Sequence, residues 1–111
     1  MPYAVYLLAS GKHGTLYVGV TSDLKRRVWQ HRTHALQGFT RRYGVTRLVW
    51  YEQHDDVHAA ITREKRIKRW RRDWKANLIE ASNPHWADLT PGLFGLTHAE
   101  FAAWERRVPE A

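Results

Sequence analysis

The stretch that decides the fold covers residues 17–31, YVGVTSDLKRRVWQH. It opens with aromatic and β-branched residues, which are typical of a strand. After a glycine at position 19 it reaches Thr, Ser and Asp in succession, and all three are common N-cap residues. The sequence therefore predicts a short strand that leads into a helix. Tyr17, Arg27 and His31 provide a phenol, a guanidinium and an imidazole along this path, and these groups suit phosphodiester chemistry.

A second predicted strand precedes this stretch. Residues 3–9, YAVYLLA, are apolar or aromatic throughout, which indicates a buried strand. Residues 10–14, SGKHG, form a turn cluster, so the strand at 3–9 should pair with a strand at 15–20 as a hairpin. If Tyr6 sits directly opposite Tyr17, both phenols lie on one face of the sheet. A slip of one residue would place them on opposite faces.

The helix that follows is predicted to run from the cap at residues 21–23 to about residue 36. Leu24, Val28 and Ala35 form its apolar stripe. Arg27 and His31 are four residues apart and are therefore neighbours on one helix face, beside that stripe. For His31 taken alone, a surface position is the simpler interpretation.

Further elements follow in order. Residues 47–53, RLVWYEQ, predict a third strand. Two aspartates precede a helix that is expected to run from near residue 57 to about residue 70, and residues 72–81 should form another helical stretch. Between the first helix and the third strand, residues 37–44 form a loop with a glycine near each end.

The last part of the chain begins with Asn83 and Pro84, which end the preceding helix. Residues 85–92 are expected to be a loop with a tryptophan anchor. Residues 97–100, THAE, have the form of a capping box and predict a final amphipathic helix with Phe101 and Trp104 inward.

Composition favours a polyanionic partner. The net charge is +7, and residues 63–75 alone contain eight basic and two acidic side chains. A surface of this kind favours nucleic acid over other partners. With 43% hydrophobic residues the chain should fold into one domain, residues 1–111. With no cysteine and no long apolar run, we expect neither a disulfide nor a membrane segment, and a cytoplasmic location.

Glu64 is the most informative single residue. It falls on the apolar stripe of the basic helical region, together with Ile61, Ile67, Trp74 and Leu78. A carboxylate on a buried stripe needs a partner. That partner is either a hard divalent cation, which one glutamate and several waters can hold, or a nearby Lys or Arg. For Trp70 and Trp74, core packing is favoured over base stacking.

The ordered set of motifs resembles the GIY-YIG nuclease superfamily. It comprises Ala4-Val5-Tyr6, Tyr17-Val18-Gly19, Arg27 with His31, and Glu64. More narrowly, the chain is similar to the small single-domain bacterial members and to the GIY-YIG domain of the excision-repair nuclease subunit. The resemblance implies an α+β fold, a three-stranded antiparallel sheet flanked by helices, with a core at about 3–80. A loop and an extra C-terminal helix then occupy about 81–108.

The resemblance also implies the chemistry. It suggests hydrolysis of DNA phosphodiester bonds with Mg²⁺ or Mn²⁺ and no small-molecule cofactor. Tyr6 and Tyr17 would position or activate water, Arg27 would stabilise the transition state beside His31, and Glu64 would hold the metal ion. The remaining candidates are basic residues expected to contact DNA: Arg26, Arg41, Arg42, Lys65, Lys68, Arg69 and Arg72.

Three departures from the family pattern bear on function. Ala4 replaces the first glycine of the name motif, and Val20 stands where some relatives carry a lysine in the site. The late asparagine of some members corresponds to Asn77 or to Asn83. Gly19 is expected to allow close approach of backbone and phosphate.

Besides the endonuclease, two alternatives stay open: a DNA-binding or adaptor module with little catalysis, and a structural domain whose basic helix docks on an acidic protein.

Overall fold

The computed structural model describes residues 2–33 and 42–106. Three strands and five helices lie in these ranges, and they confirm the predicted α+β class. In chain order they are β1 (Tyr3–Ala9), β2 (Leu16–Thr21), α1 (Leu24–Arg32), β3 (Arg47–His54), α2 (Val57–Arg69), α3 (Arg72–Ser82), α4 (Thr90–Leu93) and α5 (His98–Glu105). The predicted strands and helices are all present within one or two residues, except that α1 ends earlier and that α4 was not foreseen. Of the predicted loop at 37–44, residues 37–41 lie outside the described ranges, and residues 42 and 43 have helical backbone, contrary to the prediction.

The strands form an antiparallel sheet in the order β2-β1-β3, so β1 is central. The register of the hairpin, which the sequence left open, differs by two residues from direct pairing of Tyr6 with Tyr17. Tyr6 pairs with Gly19, and Tyr17 pairs with Leu8. Because a shift of two restores the same side-chain alternation, Tyr6 and Tyr17 still share a face, as expected.

The two faces of the sheet carry two separate cores. On one face, α2 and α3 cover alternate β1 residues, including Val5 and Leu7, with Ile67 and Ile79 from the helices. On the other face, α1 packs through Val28 against a core that contains Tyr6, Leu8 and Leu48. The face of the hairpin that carries Tyr6 and Tyr17 therefore lies under α1.

Helix α1 begins with Asp23 as its N-cap, whose carboxylate accepts a hydrogen bond from the Arg26 backbone N–H at 3.2 Å. It ends at Arg32 rather than near residue 36, with Thr33 as its C-cap. The Thr33 N–H and hydroxyl both donate to the Trp29 carbonyl, each at 2.9 Å. The predicted stripe residue Ala35 lies outside the described residues. Within α1, His31 is buried, so its interpretation as a surface histidine is wrong.

Helices α2 and α3 are separated by a sharp break at residues 70 and 71, both of which have extended backbone. Asp56 caps α2 by accepting from the Ala59 N–H at 2.9 Å. Ile67 lies in the core as predicted, but Trp74 is 49% exposed. The prediction that Trp74 packs inward is wrong, because the break between the helices turns α3 and rotates this position away from the sheet.

The segment after α3 covers the outer edge of β3. The Asn83 amide donates to the Val49 carbonyl at 3.1 Å, and the Leu89 N–H donates to the Leu48 carbonyl at 2.7 Å. Val49 is the extra residue of an irregularity between the Leu7–Trp50 and Leu8–Leu48 pairs, so Asn83 satisfies a backbone group near a break in the ladder. The segment thus completes the hydrogen bonding of an edge strand.

The C-terminal helix is held against α1. The predicted capping box at Thr97 and Glu100 is formed, and Phe101 is buried while Trp104 is half-buried. Arg32 of α1 donates to Asp88 at 2.8 Å and also to Glu105. Its guanidinium also lies over the Phe101 ring, 5.0 Å from the centroid. One arginine therefore ties two C-terminal elements to the helix that carries Arg27.

No helix in residues 2–33 and 42–106 is long and apolar enough to cross a membrane.

Candidate active site

Three of the predicted site rings form one cluster between the hairpin and α1. The Tyr6 and Tyr17 centroids are 6.2 Å apart, and His31 lies 6.0 Å from Tyr6 and 5.3 Å from Tyr17. The shared face of β1 and β2 supplies the two phenols. The i, i+4 spacing on α1 brings His31 to the same side as Arg27.

Tyr6 is the buried centre of this cluster. Its hydroxyl lies 3.1 Å from His31 Nε2, and it also has hydrogen-bonding contact with Arg27 and Tyr17. Because a guanidinium only donates, the Tyr6 oxygen accepts from Arg27, which leaves its proton available to His31. Burial raises the pKa of Tyr6 well above its ordinary value, with a further contribution from Tyr17. Tyr6 is therefore a neutral phenol at physiological pH.

His31 is a neutral imidazole in this environment. Burial, with a smaller contribution from the Arg27 charge, lowers the pKa of His31 to about 4. One ring nitrogen of a neutral imidazole accepts a hydrogen bond, and Nε2 accepts from Tyr6 when Nδ1 carries the proton. His31 therefore holds the Tyr6 hydroxyl in place rather than adding a second positive charge beside Arg27.

Gly19 makes room for the Tyr6 ring. A Cβ at position 19 would lie 2.4 to 2.8 Å from the outer atoms of that ring. Position 19 therefore requires a glycine, because the Tyr6 ring packs directly against its Cα and leaves no room for a side chain. Close approach of a phosphate to the strand, the reason expected from the sequence, stays a prediction.

Arg27 borders an open cleft at the start of α1. The cleft has a volume of about 210 Å³ and is lined by polar residues: Thr21, Ser22, Asp23, Arg26, Arg27 and Gln30. Arg27 thus faces both the buried Tyr6 hydroxyl and a solvent-accessible space that can admit a phosphate. From the sequence Ser22 was only an N-cap candidate and Gln30 was not singled out, since single polar side chains carry no distinctive signal for a binding site.

Glu64 lies on α2, which packs against β1 and β2. It is buried, and its Oε2 lies 2.5 Å from Lys68 Nζ. The hydrogen bond to Glu64 raises the pKa of Lys68, and the neighbouring Tyr17 phenol acts in the same direction. The ion pair therefore lies beside Tyr17. The pairing was foreseen only as one of two alternatives, although Glu and Lys at i and i+4 is a recognised helix pair.

The same carboxylate fits a hard cation. The described residues contain no group of three or more His, Asp or Glu side chains that could hold a metal ion. A magnesium ion needs fewer protein ligands, because it keeps several waters and takes phosphate oxygens as well. Glu64 is a buried oxygen donor whose present counter-ion is an ammonium with 55% of its side chain exposed. Lys68 can therefore swing into solvent when another cation arrives.

The predicted DNA contacts differ in their surroundings. Arg26, Lys65 and Arg69 are exposed, while the Arg42 guanidinium lies 5.6 Å from the Tyr43 centroid. Arg72 donates to the carbonyls of His13 and Gly14 at 2.7 and 2.6 Å, so it fastens α3 to the hairpin turn. Arg41 lies outside the described residues.

The two candidate asparagines also differ. Asn83 is buried and bonds backbone groups of Val49 and Ala87, which gives it a structural role. Asn77 is exposed and lies beside Trp70 and Trp74. Neither asparagine has a contact to the tyrosine pair among those seen in the described part of the chain.

Comparison with known proteins agrees with this architecture. The family model described as the GIY-YIG catalytic domain matches residues 2–77. A UPF0213 protein of Haloquadratum walsbyi is 38% identical over 66 residues, 60% of this chain and 74% of the relative. A UPF0213 protein of Aeromonas salmonicida is 30% identical over 109 residues, 98% of this chain and 79% of the relative.

A solved structure shows the same fold. The solution NMR structure of a UPF0213 protein from Bacillus halodurans is 28% identical in sequence, with a TM-score of 0.51. The match covers 87% of this chain and 100% of the other. With the family match extending over the hairpin, α1 and α2, the chain belongs to the GIY-YIG family.

Proposed function

We propose that this protein is a metal-dependent endonuclease that hydrolyses DNA phosphodiester bonds. The observation that carries the proposal is the cluster of Tyr6, Tyr17 and His31, which contacts Arg27 at the wall of an open cleft. The Glu64–Lys68 ion pair of α2 lies within electrostatic reach of Tyr17. Membership of a family defined by a catalytic nuclease domain supports it. Branched, damaged or single-stranded DNA are the substrate forms to be tested.

Each residue takes a distinct part in the proposed reaction. Arg27 binds the scissile phosphate from the cleft and stabilises the negative charge that develops on its oxygens. Tyr17 is half-buried beside Lys68, whereas Tyr6 is fully buried with a raised pKa. Of the two phenols, Tyr17 is therefore the better placed to orient the attacking water, whose O–H would donate to the Tyr17 hydroxyl oxygen. As the new bond from the water oxygen to phosphorus forms, the bond to the leaving oxygen breaks; the water proton passes to solvent and the leaving oxygen takes up a proton from solvent.

His31 and Tyr6 act as positioning residues for Arg27. The neutral imidazole of His31 holds the Tyr6 hydroxyl, and the Tyr6 oxygen accepts a hydrogen bond from Arg27. The Arg27 guanidinium is thus oriented by a contact on its buried side, away from the cleft. A divalent cation held by Glu64, with Mg²⁺ or Mn²⁺ as the candidates, supplies charge neutralisation at the phosphate when it is bound.

A cleavage assay tests this proposal. Labelled plasmid and oligonucleotide substrates are incubated with Mg²⁺, with Mn²⁺ and with chelator. We expect metal-dependent cleavage that is lost in Glu64→Gln and in Arg27→Gln. Removing the Glu64 charge should spare the fold, because its partner Lys68 is exposed and returns to water. Asp73→Asn is the matched control, since it changes the net charge equally at an exposed position of the same basic region.

A binding or adaptor module with little catalysis is the second candidate. One observation favours it: the Lys68 ammonium already neutralises the carboxylate that a metal ion would need. The same assay separates the two functions. Salt-sensitive DNA binding without cleavage in either metal would support the module, and equal cleavage by the parent and Glu64→Gln would exclude the proposed metal role of Glu64.

A further inference from the structure

The α2–α3 break leaves an aromatic pair at the surface. Trp74 is 49% exposed, and among large apolar side chains in the described ranges only Tyr43 is exposed to a similar extent. Trp74 packs edge-on against Trp70, with ring centroids 6.1 Å apart and planes at 76°. With Asn77 and Leu78 the two rings line a shallow groove of about 310 Å³. A large aromatic surface of this kind marks a site of interaction.

The charges around the pair identify its ligand. Arg71 lies 5.1 Å from the Trp74 centroid, and Arg63 lies 5.5 Å from the Trp70 centroid. Arginine and aromatic side chains also occur together in protein interfaces. The excess of charge decides here, because residues 63–75 carry eight basic and only two acidic side chains, which favours a polyanion. Arg63 is also paired with Glu52 and Arg71 with Asp73, so each keeps only part of its charge for a ligand. Basic residues in excess around one exposed and one partly exposed ring match the phosphates and bases of an unpaired nucleic-acid strand.

Exposed basic residues of α2 lie between this groove and the candidate active site. Glu64 and Lys68 lie on the side of α2 near Tyr17, and Trp70 ends the same helix about 9 Å further along its axis. Since each helical residue advances by roughly 100°, the outer face between them holds Lys65, Arg66 and Arg69. All three are exposed.

We propose that the Trp70–Trp74 groove stacks unpaired bases of a single-stranded DNA segment whose phosphates follow the outer face of α2. Bases within a duplex are already stacked on each other and cannot reach these rings, so the groove selects DNA with a single-stranded tail, flap or bubble. Asn77 lies at its rim and carries an amide that can pair with a base edge. The choice of cleavage substrate rests on the proposed nuclease function, but the binding of bases does not.

Binding is measured by fluorescence anisotropy in chelator, so that a protein without any cleavage activity still reports on the groove. The probes are a labelled oligothymidylate, a mixed-sequence single strand and a blunt duplex of that same sequence. For Trp74→Ala we expect about tenfold weaker binding of both single strands and no change for the duplex. Trp74→Phe should retain most of the affinity, because an aromatic face remains.

Trp74→Leu is the decisive control, since it keeps an apolar side chain but removes the stacking surface. It should bind single strands as weakly as Trp74→Ala. We expect the Trp74 variants to keep the melting temperature of the parent, because Trp74 is half exposed. This result excludes a folding defect as the cause of weaker binding.

Three results would overturn the proposal: single-strand affinity unchanged in Trp74→Ala, an equal loss for strand and duplex, or full affinity in Trp74→Leu. A concentration-dependent dimer that disappears in Trp74→Ala would also overturn it, by assigning the face to a protein interface. If instead the base binding holds and no metal-dependent cleavage is found, only the endonuclease proposal fails.

Discussion

Replacing Gly19 with alanine should disrupt the site from within the sheet. The new Cβ would lie 2.4 Å from the nearest Tyr6 ring atom, whereas carbon atoms in contact prefer about 3.5 to 4.0 Å. The ring must therefore retreat by about 1 Å, which also breaks the 3.1 Å contact with His31. Overpacking and a buried unpaired hydroxyl each cost about 1–3 kcal/mol. We expect a loss of about 3 kcal/mol in unfolding free energy.

Urea denaturation followed by circular dichroism measures this loss, and thermal unfolding should show a fall in Tm of roughly 10–20 °C. Gly11→Ala is the matched control, because a Cβ there meets nothing within 4 Å in the turn of the same hairpin. It also measures the small gain that alanine brings by restricting the unfolded chain, about 0.4–1 kcal/mol.

A double-mutant cycle identifies the cause. Tyr6→Ala removes a fully buried ring and should cost about 3–5 kcal/mol by itself. In that background Gly19→Ala should cost almost nothing, since the obstructing ring is gone. If Gly19→Ala stays within about 0.5 kcal/mol of the parent, or costs the same with and without Tyr6, the steric explanation is refuted.

Three further predictions concern single side chains. Because the pKa of His31 is about 4 in the fold and 6.5 in a model peptide, only the unfolded state takes up its proton between these values. Stability should therefore fall by about 3 kcal/mol as pH drops through this window, and His31→Gln should flatten that part of a pH-dependent melting curve. Arg32→Ala should cost about 1–3 kcal/mol in urea denaturation and expose the C-terminal segment to limited proteolysis, because two carboxylates lose their donor; resistance equal to the parent would contradict this. Asn83→Ala should cost about 2–3 kcal/mol through unpaired backbone groups, with Asn77→Ala unchanged as its control.

Local signals were sufficient for most of the fold. The strands follow runs of aromatic and β-branched residues. Three of the five helices begin after Asp23, Asp56 and Thr97, whose side chains accept from a backbone N–H of the first turn. These signals depend only on neighbouring residues. The sequence pattern therefore predicts the elements without reference to tertiary contacts.

The hairpin register could be predicted only in part. Alternation of apolar residues determines which face a side chain occupies, but a shift by two residues leaves that pattern unchanged. The offset is set by the turn, where Ser10 and Thr15 are joined by a backbone bond at 3.0 Å and by a bond from the Thr15 N–H to the Ser10 hydroxyl at 2.9 Å. That closure involves no strand residue, so the strands alone do not specify it.

Burial of individual side chains depended on contacts between distant elements. His31 is four residues from Arg27 on α1, yet it is buried because the hairpin places Tyr6 and Tyr17 against it. Trp74 continues the apolar spacing of α2, yet the break after α2 turns it outward. Periodicity applies within one uninterrupted helix, so it could not predict the outward position of Trp74.

The segment that follows α3 has a consequence for where the chain can be shortened. The family match ends at residue 77, but Asn83 and Leu89 supply the donors along the outer side of β3. A fragment cut at the family boundary would expose carbonyls of that strand, and an open strand edge recruits strands from other molecules. Residues 83–89 thus act as protection against aggregation, and shortened forms of this domain should keep them.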